Sequence, residues 1–115
     1  MMMALLNYQA DDGMWRQLIY HSEAWKETSS TAMFEYAFII GVKKGLLPKI
    51  SYEKASQKAW NTLSGYVNSN GEVSDICADT DQSTVVNFYL TRPKVIGDLH
   101  GQAAELWFAY SLMIN

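Results

Sequence analysis

Residues 27–45, ETSSTAMFEYAFIIGVKKG, decide the fold class. The first five residues of this stretch are rich in side chains that cap a helix N-terminus, and Gly45 is typical of a helix end. Between them, small and apolar side chains recur every three or four residues, at Ala32, Met33, Tyr36, Ala37, Ile40 and Gly41. This spacing predicts an amphipathic helix over about residues 30–44.

Outward from this helix, other segments also favour helices. Met1–Tyr8 is apolar and resembles the end of a helix, and Ser51 can cap a helix that carries one apolar face. The last helix is predicted over about residues 101–113. Its expected apolar surface is Leu106, Trp107, Tyr110 and Leu112, and that of the helix after Ser51 is Ala55, Ala59, Leu63 and Tyr66.

The segments between the helices predict little regular structure. Residues 14–20 suit a short strand or an extended loop, and residues 85–90 suit a strand or a short helix. Asn70-Gly71 is a strong turn signal, so a small β-hairpin is expected between Val67 and Val73–Ile76. We therefore expect an all-α protein made of helical hairpins with one small β-hairpin.

Composition excludes several classes of function. With 115 residues, 49% of them hydrophobic, and a net charge of −3, the chain fits one globular domain. The only basic pair is Lys43-Lys44, so a nucleic-acid partner is not expected. The longest apolar stretch, residues 38–42, is too short for a membrane span, and residues 1–6 lack the basic region of a signal peptide. A cytoplasmic location is expected.

Cysteine and histidine are scarce. Cys77 is the single cysteine, and His21 and His100 are the two imidazoles. No disulfide framework is expected, and neither a metal nor another cofactor. Asp75, Asp79 and Asp81 lack the glycine and the terminal glutamate of a calcium loop, so a solvated acidic turn is expected.

Asp98-Leu99-His100 lies between two glycines at the start of the last helix. A helix N-terminus offers free N–H groups and a partial positive charge, which suit an acidic or hydroxylated ligand. Asp98 could fix the tautomer of the imidazole, or it could simply cap the helix while His100 remains an ordinary loop histidine.

Two further stretches each allow a ligand-binding and a purely structural interpretation. The hydroxyls after Glu27 could hold a carboxylate or sugar hydroxyls, or Thr28, Ser29 or Ser30 could serve only as the N-cap. Glu27 could be a general acid, although no second carboxylate stands at catalytic spacing. Trp15 and Gln17 could line a sugar pocket while Arg16 forms a salt bridge, or Trp15 could belong to the core.

Taken in order, several segments resemble the unsaturated glucuronyl and rhamnogalacturonyl hydrolases, glycoside hydrolase families 88 and 105, with the closer likeness to family 105. The matching residues are Gln9 with DGMWRQ at 12–17, ETSSTAMF at 27–34 with Tyr36-Ala37, Gly41-Val42, Gly45-Leu46-Leu47, Tyr89-Leu90 with Arg92-Pro93, and GDLHGQ at 97–102 with Leu106-Trp107.

The resemblance implies that residues 1–115 are the C-terminal segment of a six-hairpin (α/α)6 barrel, which is incomplete in this chain. It also implies hydration of the C4–C5 double bond of an unsaturated uronic acid at the end of an oligosaccharide. In the family that this chain resembles, an aspartate performs this hydration without a metal. The family's catalytic aspartates lie in the N-terminal half, so no catalytic residue is expected here. Trp15, Gln17, Ser29, Asp98 and His100 map onto the rim at the active-site end.

Two departures from the family pattern bear on the substrate. Cys77-Ala78-Asp79-Thr80-Asp81 stands where relatives carry a glycine-rich loop, and Ala103-Ala104-Glu105 replaces a small-proline-apolar run. Two rival interpretations are a non-catalytic helical module and an intact all-helical protein with a new ligand. The former would bind or self-associate through exposed helix faces that include Ala32, Tyr36 and Ile40.

Overall fold

The computed structural model describes residues 1–115 as five α-helices with four two-residue strands. The helices are α1 (Met2–Asn7), α2 (Thr28–Lys43), α3 (Lys49–Leu63), α4 (Val86–Leu90) and α5 (Leu99–Met113). The strands are β1 (Trp15–Arg16), β2 (Lys26–Glu27), β3 (Ile76–Cys77) and β4 (Lys94–Val95), and they form the antiparallel pairs β1–β2 and β3–β4. The helical class is confirmed, and no helix has the length and apolar character needed to cross a membrane.

Helix α2 lies at the centre of the fold and packs against both other long helices. It forms an antiparallel hairpin with α3, in which the rings of Phe38 and Tyr52 are 4.7 Å apart between centroids. Lys43, the last residue of α2, donates to the carbonyl oxygens of Ser111 and Ile114 at the end of α5, which shows that α2 and α5 run parallel. The N-termini of α2 and α5 therefore lie at the same end of the molecule.

The core has two parts. One lies between α2, α3 and α5, where Phe108 meets the edge of Trp60 at 5.5 Å between ring centroids. The other surrounds Trp15, which is fully buried against Phe34 and Phe38. Gly13 lets the chain enter this region, since it has a φ of +92° and a Cβ there would lie 2.5 Å from the backbone nitrogen of Ala59.

The predicted helix starts need correction at α2 and α3. Helix α2 is capped by Glu27 rather than by Thr28, Ser29 or Ser30, because β2 continues into the helix without a loop and the longer glutamate side chain reaches back to the free N–H groups. Helix α3 starts before Ser51. Its N-cap is Pro48, whose φ of −61° already suits a helix start.

The predicted hairpin at Asn70-Gly71 is reduced to a single antiparallel bridge between Val67 and Val73. The turn itself forms, with Gly71 at a φ of +81°. Asp75, at a φ of +54°, then bends the chain before a second strand can continue. As a result Ile76 and Cys77 pair with β4, and residues 86–90 form helix α4 rather than a strand.

Helix α5 presents a different face to the core from the one predicted. Its buried residues are Gly101, Ala104, Glu105, Phe108 and Ser111, whereas the predicted apolar surface is largely exposed. Small residues allow α5 to approach its neighbours closely, and a Cβ at Gly101 would overlap the side chain of Ile76. On α2, Ala32 is fully buried and is not part of an exposed face, while Tyr36 and Ile40 are half-buried.

Candidate functional site

The common N-terminal end of α2 and α5 is organised by the carboxylate of Glu27. It accepts hydrogen bonds from the backbone N–H groups of Ser29 at 3.2 Å and Ser30 at 2.6 Å, and from the Ser29 hydroxyl at 2.7 Å. It also accepts one from the backbone N–H of Cys77 at 2.9 Å. Glu27 is buried and joins the start of α2 to β3, so its role is structural and it is not free to act as a general acid.

Two predicted ligand residues belong to the scaffold. Trp15 is fully buried, and its indole N–H donates to the carbonyl oxygen of Leu5 at 2.8 Å, so the ring cannot stack on a sugar from within this chain. Ser29 is also buried, and its hydroxyl donates a hydrogen bond to Glu27. Arg16 forms no salt bridge. It donates to the carbonyl oxygen of Ala24 at 3.3 Å.

Gln17 and Ser30 carry polar atoms without a partner. Gln17 Nε2 lies 4.0 Å from the sulfur of Cys77, while its Oε1 is buried and accepts no hydrogen bond. The hydroxyl oxygen of Ser30 is likewise buried and unpaired. Buried polar groups are normally hydrogen-bonded, and a water molecule or a hydroxylated ligand would satisfy both atoms.

Asp98 and His100 form a tight pair at the start of α5. Asp98 Oδ1 accepts from the backbone N–H of His100 at 3.2 Å and lies 2.5 Å from its Nδ1. Asp98 is the helix cap and also orients the imidazole, so both alternatives for this residue hold. The backbone hydrogen bond from His100 lowers the pKa of Asp98, which keeps this carboxyl ionised at neutral pH and unsuited to give up a proton as a general acid.

The structure brings these residues to one end of the helix pair in two groups. Gln17, Ser29 and Ser30 lie around Glu27 and Cys77, and Asp98 and His100 lie at the adjacent helix start. No hydrogen bond joins the two groups. Ser30 belongs to the run of hydroxyls after Glu27 that the sequence offers either for a ligand or for capping, and the sequence gives no reason to single it out.

The aspartates around Cys77 do not form a cluster. Asp75 pairs with Lys94, with 3.4 Å between Oδ2 and Nζ, and Arg92 donates to the carbonyl oxygen of Asp79 at 3.0 Å. No group of three or more His, Cys, Asp or Glu side chains is placed to hold a metal ion.

The sequence does not predict the burial of two glutamates, Glu35 and Glu105. Glu35 on α2 receives hydrogen bonds from Ser56 and Gln9, and burial raises its pKa to about 8 despite the Ser56 bond. Glu105 on α5 has both carboxylate oxygens buried without a partner, and burial raises its pKa to about 7. Neither side chain opens onto the end of the helix pair that carries Gln17 and His100, since both lie in helix-packing faces.

Comparison with known proteins decides the family. A model of the family described as Glycosyl Hydrolase Family 88 matches residues 1–114. The chain belongs to this family. An unsaturated 3S-rhamnoglycuronyl hydrolase from Formosa agariphila is 34% identical to it over 71 residues, which are 60% of this chain and 19% of the relative.

Solved structures of family 105 relatives share the fold. A possible member of that family from Salmonella enterica superposes with a TM-score of 0.92 at 23% identity over 97% of the family 88 chain, and a similar one from Klebsiella pneumoniae with a TM-score of 0.87 at 24% identity over 97%. The chain spans 29% of the length of each of these two structures. The expected fold, part of a helical barrel, is confirmed.

Proposed function

We propose that this family 88 chain supplies one part, the C-terminal one, of a glycoside hydrolase that acts on oligosaccharides ending in an unsaturated uronic acid. The chemistry is hydration of the C4–C5 double bond, after which the hydrated sugar falls apart and is released. The family assignment and the name of the Formosa agariphila relative support this substrate class.

The observation that carries the proposal is the set of polar atoms without protein partners at the shared end of α2 and α5. Two of them are the buried Gln17 Oε1 and Ser30 Oγ. The third is Nε2 of His100, whose side chain is 38% exposed and is held through Nδ1 by Asp98. A neutral imidazole held in this way presents Nε2 as an acceptor for a sugar hydroxyl, and a protonated one can donate to the carboxylate of a uronate. We assign these three side chains to substrate contact and Asp98 to positioning His100.

The same geometry gives no group for the proton transfer. Asp98 is held ionised and Glu27 is saturated by four hydrogen bonds, so neither can protonate a double bond. The proposal therefore places the catalytic aspartate in another part of the barrel, outside these 115 residues.

A titration of the ¹⁵N-labelled chain with an unsaturated uronyl disaccharide tests the assignment of the site. We expect amide shifts to concentrate at Gln17, Ser30 and His100. His100→Ala should weaken binding about five- to tenfold, as expected for one lost hydrogen bond. His21→Ala is the matched control, since His21 also pairs with an acid two residues away, Glu23, at 3.0 Å. Equal effects of the two substitutions, or shifts confined to other surfaces, would contradict the proposal.

The second candidate function is a non-catalytic helical module that associates through its surface. One observation favours it, namely the exposed apolar face of α5, on which Leu99, Leu106, Trp107, Tyr110 and Met113 meet solvent.

A further inference from the structure

A small polar cavity lies beside the proposed sugar site, in the segment between β3 and β4. It has a volume of about 210 Å³, and it is lined by Asp79, Thr80, Asp81, Phe88 and Arg92. Four of these five side chains carry a charge or a hydroxyl group. Packing a further helix of the barrel against this cavity would bury the charges at a large cost, so a polar ligand suits it better.

The cavity adjoins Gln17 through Cys77. The sulfur of Cys77 lies 4.0 Å from Gln17 Nε2 and 3.7 Å from the hydroxyl oxygen of Thr80. Strand β3 is itself fixed to the start of α2, because the backbone N–H of Cys77 donates to Glu27 at 2.9 Å. An oligosaccharide whose uronide contacts Gln17 can therefore extend its next sugar toward Thr80.

Arg92 is held in the wall of the cavity and has hydrogen-bonding capacity left over. Its Nη2 donates to the carbonyl oxygen of Asp79 at 3.0 Å, and its guanidinium carbon lies 4.9 Å from the centroid of the Phe88 ring. Its Nε is buried without a partner, and Arg92 takes part in no ion pair. A planar guanidinium presents several donors in a fixed geometry, so it can bind two neighbouring oxygen atoms of a sugar at once.

The two aspartates, Asp79 and Asp81, give the cavity a net negative charge. Both are exposed, and neither carboxylate pairs with a cation. Lys94 on β4 does not offset this charge, because it already pairs with Asp75 at 3.4 Å. With two carboxylates against one guanidinium, the cavity offers donors and acceptors to the hydroxyl groups of a sugar but repels a further acid group.

We infer that Asp79, Asp81 and Arg92 set the specificity for the second sugar of the substrate, by binding an uncharged sugar and rejecting one that carries a sulfate or carboxylate group. The inference rests on the proposed function, which supplies a uronide bound at Gln17. It concerns only the sugar next to that uronide, so the two claims can be tested separately.

Three ligands separate the two claims. They are the methyl glycoside of the unsaturated uronic acid, an unsaturated uronyl disaccharide with a neutral second sugar, and the same disaccharide with a sulfate on that sugar. Isothermal titration calorimetry with the purified chain measures each Kd. At low ionic strength we expect the sulfated disaccharide to bind about tenfold more weakly than the neutral one, and added salt should reduce the difference.

Asp79→Asn combined with Asp81→Asn should remove most of this difference by strengthening the binding of the sulfated disaccharide. The neutral disaccharide should change little, since an amide oxygen still accepts hydrogen bonds from hydroxyl groups. Glu53→Gln is the control for a lost negative charge, because Glu53 lines a separate cavity with Lys43 at the opposite end of α2. Circular dichroism establishes that each variant is folded.

Arg92→Lys provides a second, independent variant. It keeps the positive charge and removes the planar fork, so it should weaken the neutral disaccharide about fivefold. The methyl glycoside should bind this variant and the double aspartate variant as well as it binds the wild type, because it has no second sugar.

Equal affinities of the wild type for the two disaccharides would overturn the inference. So would a difference that the double aspartate variant retains, or one that Glu53→Gln removes as well. In each of these cases the proposed function still stands, provided that the methyl glycoside binds and His100→Ala weakens it. A methyl glycoside that does not bind would contradict the proposed function, and the inference with it.

Discussion

At the scale of single residues, the fold depends on a few positions where the backbone conformation or the packing leaves room only for glycine. Gly13 is the clearest of these. It combines a φ of +92° with a direct approach to the backbone of α3, where the added Cβ would lie 2.5 Å from Ala59 N and 2.6 Å from Lys58 C. Gly71 also has a positive φ, +81°, but faces open space.

The two glycines make a matched pair. We expect Gly13→Ala to lower the free energy of unfolding by about 2–4 kcal/mol, because backbone strain and overlap with α3 act together. Gly71→Ala should cost only about 1 kcal/mol, since strain acts alone. Urea denaturation followed by circular dichroism measures both values. Equal losses would show that the approach of Gly13 to α3 does not matter for stability.

The local sequence predicts the surroundings of His100 but not those of Trp15. An Asp two residues before a histidine at a helix start predicts both a cap and an oriented imidazole, and both occur. An indole beside an amide fits a sugar pocket and a core equally well. The burial of Trp15 is decided by Phe34 and Phe38, which are distant in sequence, so no local pattern could have settled it.

At the scale of elements, local sequence patterns predict the positions of the helices well, but they predict less well which face of each helix is buried. The α2 pattern is periodic and bounded by capping residues and a glycine, and the structure has that helix within two residues of the prediction at its start. Helix α5 is apolar around most of its circumference, so periodicity could not choose its buried side. The pairing of β3 with β4 depends on residues eighteen or so apart, which no turn signal links.

The buried face of α5 contains Glu105, and this makes stability depend on pH. Below pH 4.5 the carboxyl is protonated in both states; between 4.5 and about 7 the unfolded chain loses the proton while the folded chain keeps it. The free energy of unfolding should therefore fall as the pH rises through this range and level off above it. Glu35 extends the decline to about pH 8.

Glu105→Leu should remove its share of this slope and stabilise the protein at pH 8 by about 2–3 kcal/mol. Denaturation at pH 5 and pH 8 provides the measurement, and Glu53→Leu at an exposed position on α3 is the control. A wild-type stability that increases from pH 5 to pH 8, or an unchanged slope in Glu105→Leu, would argue against a buried protonated carboxyl.

At the scale of the whole molecule, the chain is a helical unit of a family 88 barrel with two distinct surfaces. One, at the N-terminal ends of α2 and α5, carries the polar atoms that we propose contact a sugar. The other is the exposed apolar face of α5. Composition does not predict the first surface, because it forms only where α2 and α5 run parallel, as the contacts of Lys43 at the other end of the two helices show.

We expect these 115 residues to help hold an unsaturated uronide and not to protonate it. The most direct measurement is the ultraviolet absorbance of the C4–C5 double bond of an unsaturated uronyl disaccharide, followed over time with the purified chain. We predict that the absorbance stays constant at chain concentrations that saturate binding. A loss of absorbance at a rate proportional to the concentration of the chain would contradict the claim and place a catalytic acid within these residues.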